Sequence, residues 1–130
     1  MVVDTSALLA ILQGEPERRA FITAIQDAES CSLSAASLVE TSIVIEARFG
    51  AEGTRDLDLF VKRAGFQLVP VDIEQADLAR RGFSRFGKGR HRAGLNFGDC
   101  FAYALAMSLG ESLLYKGDDF GHTDLPPHQA

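Results

Sequence analysis

The chain makes little use of cysteine. Its two thiols, Cys31 and Cys100, belong to no CxxC or Cys/His pattern. That excludes a zinc knuckle or a disulfide framework and fits two small buried core residues in a reducing compartment. No apolar run approaches the ~20 residues a bilayer requires. No charged and then apolar leader opens the sequence, so a soluble, cytoplasmic protein with no membrane partner is expected. Positive charge is scarce as well: 13 Lys and Arg stand against 18 Asp and Glu, for a net charge of −5. Overall charge therefore speaks against general affinity for nucleic acid, and any such affinity must reside in a local patch. Repeats, linkers and low-complexity tracts are also missing. What is present is an ordinary globular composition, 46% hydrophobic over 130 residues, expected to form one domain spanning 1–130.

Hydrophobic patterning alternates short strands with helices. Val2 and Val3 read as the end of a buried strand, and Ala7 to Leu12, after Thr5 and Ser6, as a helix closed by Gly14. Pro16 opens a second helix, Glu17 to about Ala28. The stretch 31–34 suits a strand, and 37–49 a strong helix ended by Gly50. A helix over 53–64 stops at Gly65, and 67–71 is extended, with Pro70 placing it at a sheet edge. Helices are predicted over 73–83 and 99–109, a Gly-rich loop over 84–98, and a strand over 112–115. The tail, with Pro126 and Pro127, reads as irregular, and His122 and His128 carry no signal. Strands separated by helices imply a parallel sheet covered on both faces.

Five acidic residues, the last two adjacent, fall where a parallel sheet would gather them. Asp4 sits at the end of the first strand, the edge where open α/β sheets bind ligands; helix capping would equally explain it. Glu40 interrupts the stripe Ala36, Ile43, Val44 and Ala47 on one helix face, costly for a carboxylate unless it is paired or binds a metal. Asp99 opens an apolar helix behind the N-cap candidate Asn96, where an acid also complements the helix dipole. Asp118 and Asp119 follow the last strand and would also suit a turn. Several carboxylates at one edge cannot all ionise cheaply without a cation. An all-oxygen donor set favours Mg²⁺ or Mn²⁺ over zinc.

The residues that carry these acids resemble a known family. Asp4-Thr5-Ser6, Glu40 within Ala35-Ala36-Ser37-Leu38-Val39-Glu40, Gly94-Leu95-Asn96-Phe97-Gly98-Asp99-Cys100 and Tyr115-Lys116-Gly117-Asp118-Asp119-Phe120 are similar to PIN-domain ribonucleases, and more narrowly to VapC toxins of VapBC toxin–antitoxin pairs. The resemblance runs from residue 1 to about 125. It implies a three-layer α/β/α sandwich and Mg²⁺- or Mn²⁺-dependent RNA cleavage leaving 5′-phosphate and 3′-hydroxyl ends. It places the family's acids at Asp4, Glu40 and Asp99, with a fourth at Asp118 or Asp119, Asp119 being preferred. It also implies toxin dimers and a cognate VapB-type antitoxin. Leu8, Ile11, Leu12, Ile22, Ile43 and Val44 are candidates for an apolar groove that such a partner would fill.

From Leu78 to Gly98 there are six cations and no acid, so the rest of the chain carries −11. Lys88, Arg90 and Arg92 in that stretch are the candidate RNA contacts. Arg80 and Arg81 read as solvated surface, and His91 as exposed or phosphate-contacting. Two other functions are open. In a small aspartate-based phosphatase or receiver-like domain, Asp4 would accept a phosphoryl group beside Lys116. A catalytically silent RNA-binding module would need the basic loop but not the carboxylates.

Overall fold

The computed structural model describes residues 1–126; Pro127 and His128 lie outside the described residues. Its elements are β1 (Val2–Val3), α1 (Thr5–Leu12), α2 (Arg18–Asp27), β2 (Ser32–Ser34), α3 (Ala35–Ala64), β3 (Gln67–Val69), α4 (Ile73–Phe86), α5 (Phe97–Leu109) and β4 (Leu113–Leu114), followed by a 3₁₀ turn, Asp119–His122.

All four strands are parallel, in the order β3-β2-β1-β4. The chain builds outward from β1 through β2 to β3, then returns to add β4 on the other side of β1. The strand order therefore reverses at β1, whose last residue precedes Asp4. Pro70 directly follows β3, an edge strand as expected.

Alternation along each strand divides the core into two layers. Val2 and Leu113 face one apolar cluster with Phe86, Leu95, Tyr103 and Leu105, from α4, α5 and the loop between them. Val3 and Leu114 face the other, with Leu8, Leu33, Leu57 and Phe66, under α1, α2 and α3. The result is the three-layer α/β/α sandwich. Both cysteines are free and buried, one in each layer.

Several element ends differ from the sequence reading by a residue or two, and the basic loop and the buried face of α3 differ by more. The helices read as 37–49 and 53–64 are two helical halves of α3 that meet at a kink at Gly50, whose φ of 65° and ψ of −152° are non-helical, so the break expected there is present. The basic loop is shorter than 84–98. Burial of Phe86 carries α4 three residues further, and the Asn96 cap starts α5 at Phe97, leaving 87–96. The loop is also anchored: Ala93 and Leu95 are buried, and Leu95 exchanges backbone hydrogen bonds with Phe86 and Lys88.

Glu40 also lies differently from the reading that put it on a buried stripe. The buried face of the first half of α3 is Ser37, Thr41 and Ile45, not the stripe around Glu40; Ile43 is 62% exposed. Thr41 goes inside because its hydroxyl donates to the Ser37 carbonyl at 2.8 Å, so the helix satisfies its own polar group. Glu40 is thereby left on the border, half-buried. Leu8 and Ile11 likewise belong to the core and cannot line a groove.

Candidate active site

Asp4 is both the cap and something more. Its Oδ2 accepts from the Ser6 backbone N–H at 3.0 Å and the Ser6 hydroxyl at 2.6 Å, which caps α1. Its backbone N–H donates to Leu114, tying it to β4. Ser6 makes a second tie, its hydroxyl oxygen accepting from the Lys116 N–H at 2.9 Å. The side chain is thus fixed at the C-terminal edge of β1 and β4, only 2% exposed. The other oxygen, Oδ1, is buried and has no hydrogen-bond partner among the described residues. Burial raises this carboxyl to about 7; the Ser6 hydrogen bonds oppose that rise, while the charges of Asp99 and Glu40 add to it.

Asp99 is held by a capping box. Its backbone N–H donates to Asn96 Oδ1 at 2.9 Å, and its Oδ2 accepts from the Asn96 N–H at 3.0 Å. Burial again raises its carboxyl, against the Asn96 hydrogen bond, with repulsion from Glu40 and Asp119 adding to the rise. Glu40 reaches the pair from α3: its carboxylate lies against Gly98, in space that a Cβ there would occupy. Asp119, at the start of the 3₁₀ turn, is close enough to bear on Asp99. The Asp118 carbonyl closes the turn by accepting from the Gly121 N–H at 3.1 Å. The charges of Asp99 and Glu40 thus bear on Asp4, and those of Glu40 and Asp119 on Asp99.

Among the described residues, no three acidic, histidine or cysteine side chains already converge as a ready-made metal cage. One oxygen each of Asp4 and Asp99 is committed to a cap. The unpartnered Asp4 Oδ1, the raised carboxyls and the purely oxygen donor set nevertheless fit a hard divalent cation, which would supply the missing partner and relieve the repulsion.

Lys88, Arg90 and Arg92 are exposed in the loop leading to Asn96 and make no ion pair among the described residues. Arg90 lies 5.7 Å from the centre of the Phe83 ring. Arg80 pairs with Asp77, as a solvated residue would, and Arg85 with Asp124. His91 has a local duty. Its Nδ1 accepts from the Ala93 N–H at 3.0 Å, and its ring packs edge-on against Phe86 at 5.1 Å. Lys116, the cation a receiver-like site would need beside Asp4, points its ammonium to Glu15 at 3.0 Å and Glu17 at 3.2 Å instead.

Sequence reasoning missed Ser6 and Gly98. An Asp followed two residues later by Ser is a local hydrogen-bonding pattern that could have indicated the first. Nothing local indicates Gly98, whose role arises from a helix 58 positions earlier in the chain.

A family model described as the PIN domain matches residues 1–125. The chain is 54% identical to ribonuclease VapC30 of Mycobacterium tuberculosis over 125 residues, covering 96% of this chain and 95% of that protein. The fold is similar to the solved structure of M. tuberculosis VapC20, described as a sarcin-ricin loop cleaving toxin, with a TM-score of 0.78, 16% identity, and 96% and 95% of the two chains covered. It is similar also to a chain of a toxin–antitoxin complex from Klebsiella pneumoniae, with a TM-score of 0.73, 14% identity, and 95% and 92% covered.

Proposed function

This chain belongs to the PIN-domain family and, within it, to the VapC ribonucleases, and from that premise we propose that it is a metal-dependent endoribonuclease, the toxin of a toxin–antitoxin pair. The observation that carries the metal site is the buried, unpartnered Oδ1 of Asp4 beside Asp99 and Glu40. Asp4 and Asp99 would hold Mg²⁺ or Mn²⁺, with Glu40 and Asp119 completing the donor set or positioning the attacking water. The ion, when bound, would acidify that water and offset charge on the scissile phosphate.

The protein's own part is orientation. Ser6 fixes one oxygen of Asp4 and Asn96 one oxygen of Asp99, so that in each the other stays available. Lys88, Arg90 and Arg92 would hold the RNA backbone beside the acids. Their attraction is local, because the protein as a whole repels polyanions. Hydrolysis in this arrangement would leave 5′-phosphate and 3′-hydroxyl ends.

The partner expected is a VapB-type antitoxin, in keeping with the toxin–antitoxin complex among the structural neighbours; a toxin homodimer within that assembly is part of the same proposal. No helix among the described residues is long and apolar enough to cross a membrane, and action in the cytoplasm, where RNA is found, is proposed. The aspartyl-phosphate reading has no support, since the Lys116 ammonium is engaged by Glu15 and Glu17. Purified protein incubated with total RNA tests the proposal: cleavage in Mg²⁺ or Mn²⁺ that stops with EDTA and with Asp4→Asn is expected. Equal cleavage in all three conditions would refute the metal site.

A further inference from the structure

Phe97 has no part in the chemistry proposed for the acids, yet its side chain is 79% exposed. It is the first residue of α5, directly after Asn96 and two positions before Asp99. We propose that Phe97 is a stacking platform for a base of the bound RNA, flanking the phosphate held at the acids; this rests on the ribonuclease reading.

Three features make the ring a platform and not a stray surface residue. Its backbone is fixed by the reciprocal Asn96–Asp99 hydrogen bonds, which close around it. The ring is braced from one turn further along α5 by Phe101, with centroids 4.9 Å apart and planes at 83°. Little freedom is therefore lost when a ligand arrives. The third feature is charge. The loop carrying Lys88, Arg90 and Arg92 ends one residue before Phe97, so in chain order the ring stands between those exposed cations and Asp99. An aromatic face between a cationic loop and the reacting phosphate matches single-stranded nucleic acid, whose backbone and bases need both. The exposed Val39 and Ile43 on α3 are aliphatic and offer no π-face. A phenyl ring accepts any base, so Phe97 would strengthen binding without setting sequence preference.

The test uses an Asp4→Asn background, which prevents cleavage, and compares a short mixed-sequence single-stranded RNA with an abasic oligomer of equal length. Phe97→Ala is expected to weaken RNA binding by roughly 5- to 150-fold, the range for removal of one base–aromatic stack, and to leave abasic binding unchanged. Phe97→Leu, which keeps the apolar packing against Phe101, should behave like the alanine variant. The chain has no tryptophan, so Phe97→Trp supplies a lone fluorophore that RNA, but not the abasic oligomer, should quench. Undiminished preference for RNA in Phe97→Ala would overturn the proposal. So would loss of self-association with RNA binding intact, which would assign the ring to a second copy of the chain. If the protein with Phe97 intact binds neither oligomer, the ribonuclease reading fails and this proposal fails with it.

Discussion

The carboxylate of Glu40 rests on the bare α-carbon of Gly98, one residue before Asp99, so that α3 and α5 meet through an acid and a missing side chain. A methyl group at Gly98 would overlap that carboxylate. Because the Glu40 carboxylate is the end of a flexible chain, it should swing aside while the helices stay. Gly98→Ala is therefore expected to melt within roughly 4 °C of wild type, the shift produced by about 1 kcal/mol. RNA cleavage should fall on the order of a hundredfold, the loss expected from misplacing a reacting group by about an ångström. In a Glu40→Gln background the same change should have little further effect. Full activity in Gly98→Ala would remove Glu40 from the mechanism.

Asp4 should make the metal-free protein pH-sensitive. Folded, its carboxyl keeps a proton up to about 7, whereas its ordinary value is 3.8. Between those values the folded state holds a proton the unfolded chain has lost. Stability should therefore fall as pH rises through that window and remain low above it, by on the order of 2–4 kcal/mol. The raised carboxyl of Asp99 acts in the same direction. Thermal melts in EDTA should show the decline, and Asp4→Asn should flatten it. Added Mg²⁺ or Mn²⁺ should restore stability most at high pH, where protons no longer compete for the carboxylates. A melting temperature that climbs from pH 4 to 7 without metal would contradict this proton linkage.

Replacing Lys88, Arg90 and Arg92 together with Ala should weaken RNA binding and flatten its dependence on salt, the slope shrinking by about 0.7 for each phosphate that is no longer neutralised. Burial of Ala93 and Leu95 holds the loop, so its fold should persist. Calorimetric Mn²⁺ affinity should be nearly unchanged. An unaltered salt slope would return the three side chains to ordinary solvated surface.

Co-expression with the cognate antitoxin should suppress cleavage by two separable means. A cationic antitoxin side chain entering the carboxylate cluster would compete with the metal for the same charge. Apolar contacts would persist when excess Mg²⁺ displaces it, so relief should be partial. With Leu8 and Ile11 committed to the core, the surface left includes a cavity of about 430 Å³ between α2 and the second half of α3, where Ile22, Ile25, Phe60 and Ala64 are joined by the polar Gln26 and Arg63. Ile22→Asp should weaken antitoxin binding in a pull-down and leave RNA cleavage intact. An antitoxin segment that inhibits fully with all its Arg and Lys replaced by Ala would rule out the charge plug and leave the groove standing.

Much of this architecture is written locally. Val2 and Val3 followed by Thr5 to Leu12 specify a strand running into a helix, and Gly50, Gly65 and Gly110, all at positive φ, end or bend helices where helical periodicity stops. Those signals act within a turn or two of chain, which is why a sequence reading finds them. Asp4, Glu40, Asp99 and the 118–119 pair were legible as a set because a parallel sheet would gather them at one edge, and the family resemblance joined the same positions.

The tertiary structure decided what each acid faces. Placing β4 beside β1 carries Asp119 to where its charge bears on Asp99 and lets Ser6 bridge the two strand ends. Burial in the sandwich orphans one oxygen of Asp4, and the true inner face of α3, Ser37, Thr41 and Ile45, leaves Glu40 at the border against Gly98. Lys116 turns to Glu15 and Glu17 across a gap of about a hundred residues. Desolvation and pairing depend on neighbours distant in the chain, so they exist only once the layers have packed.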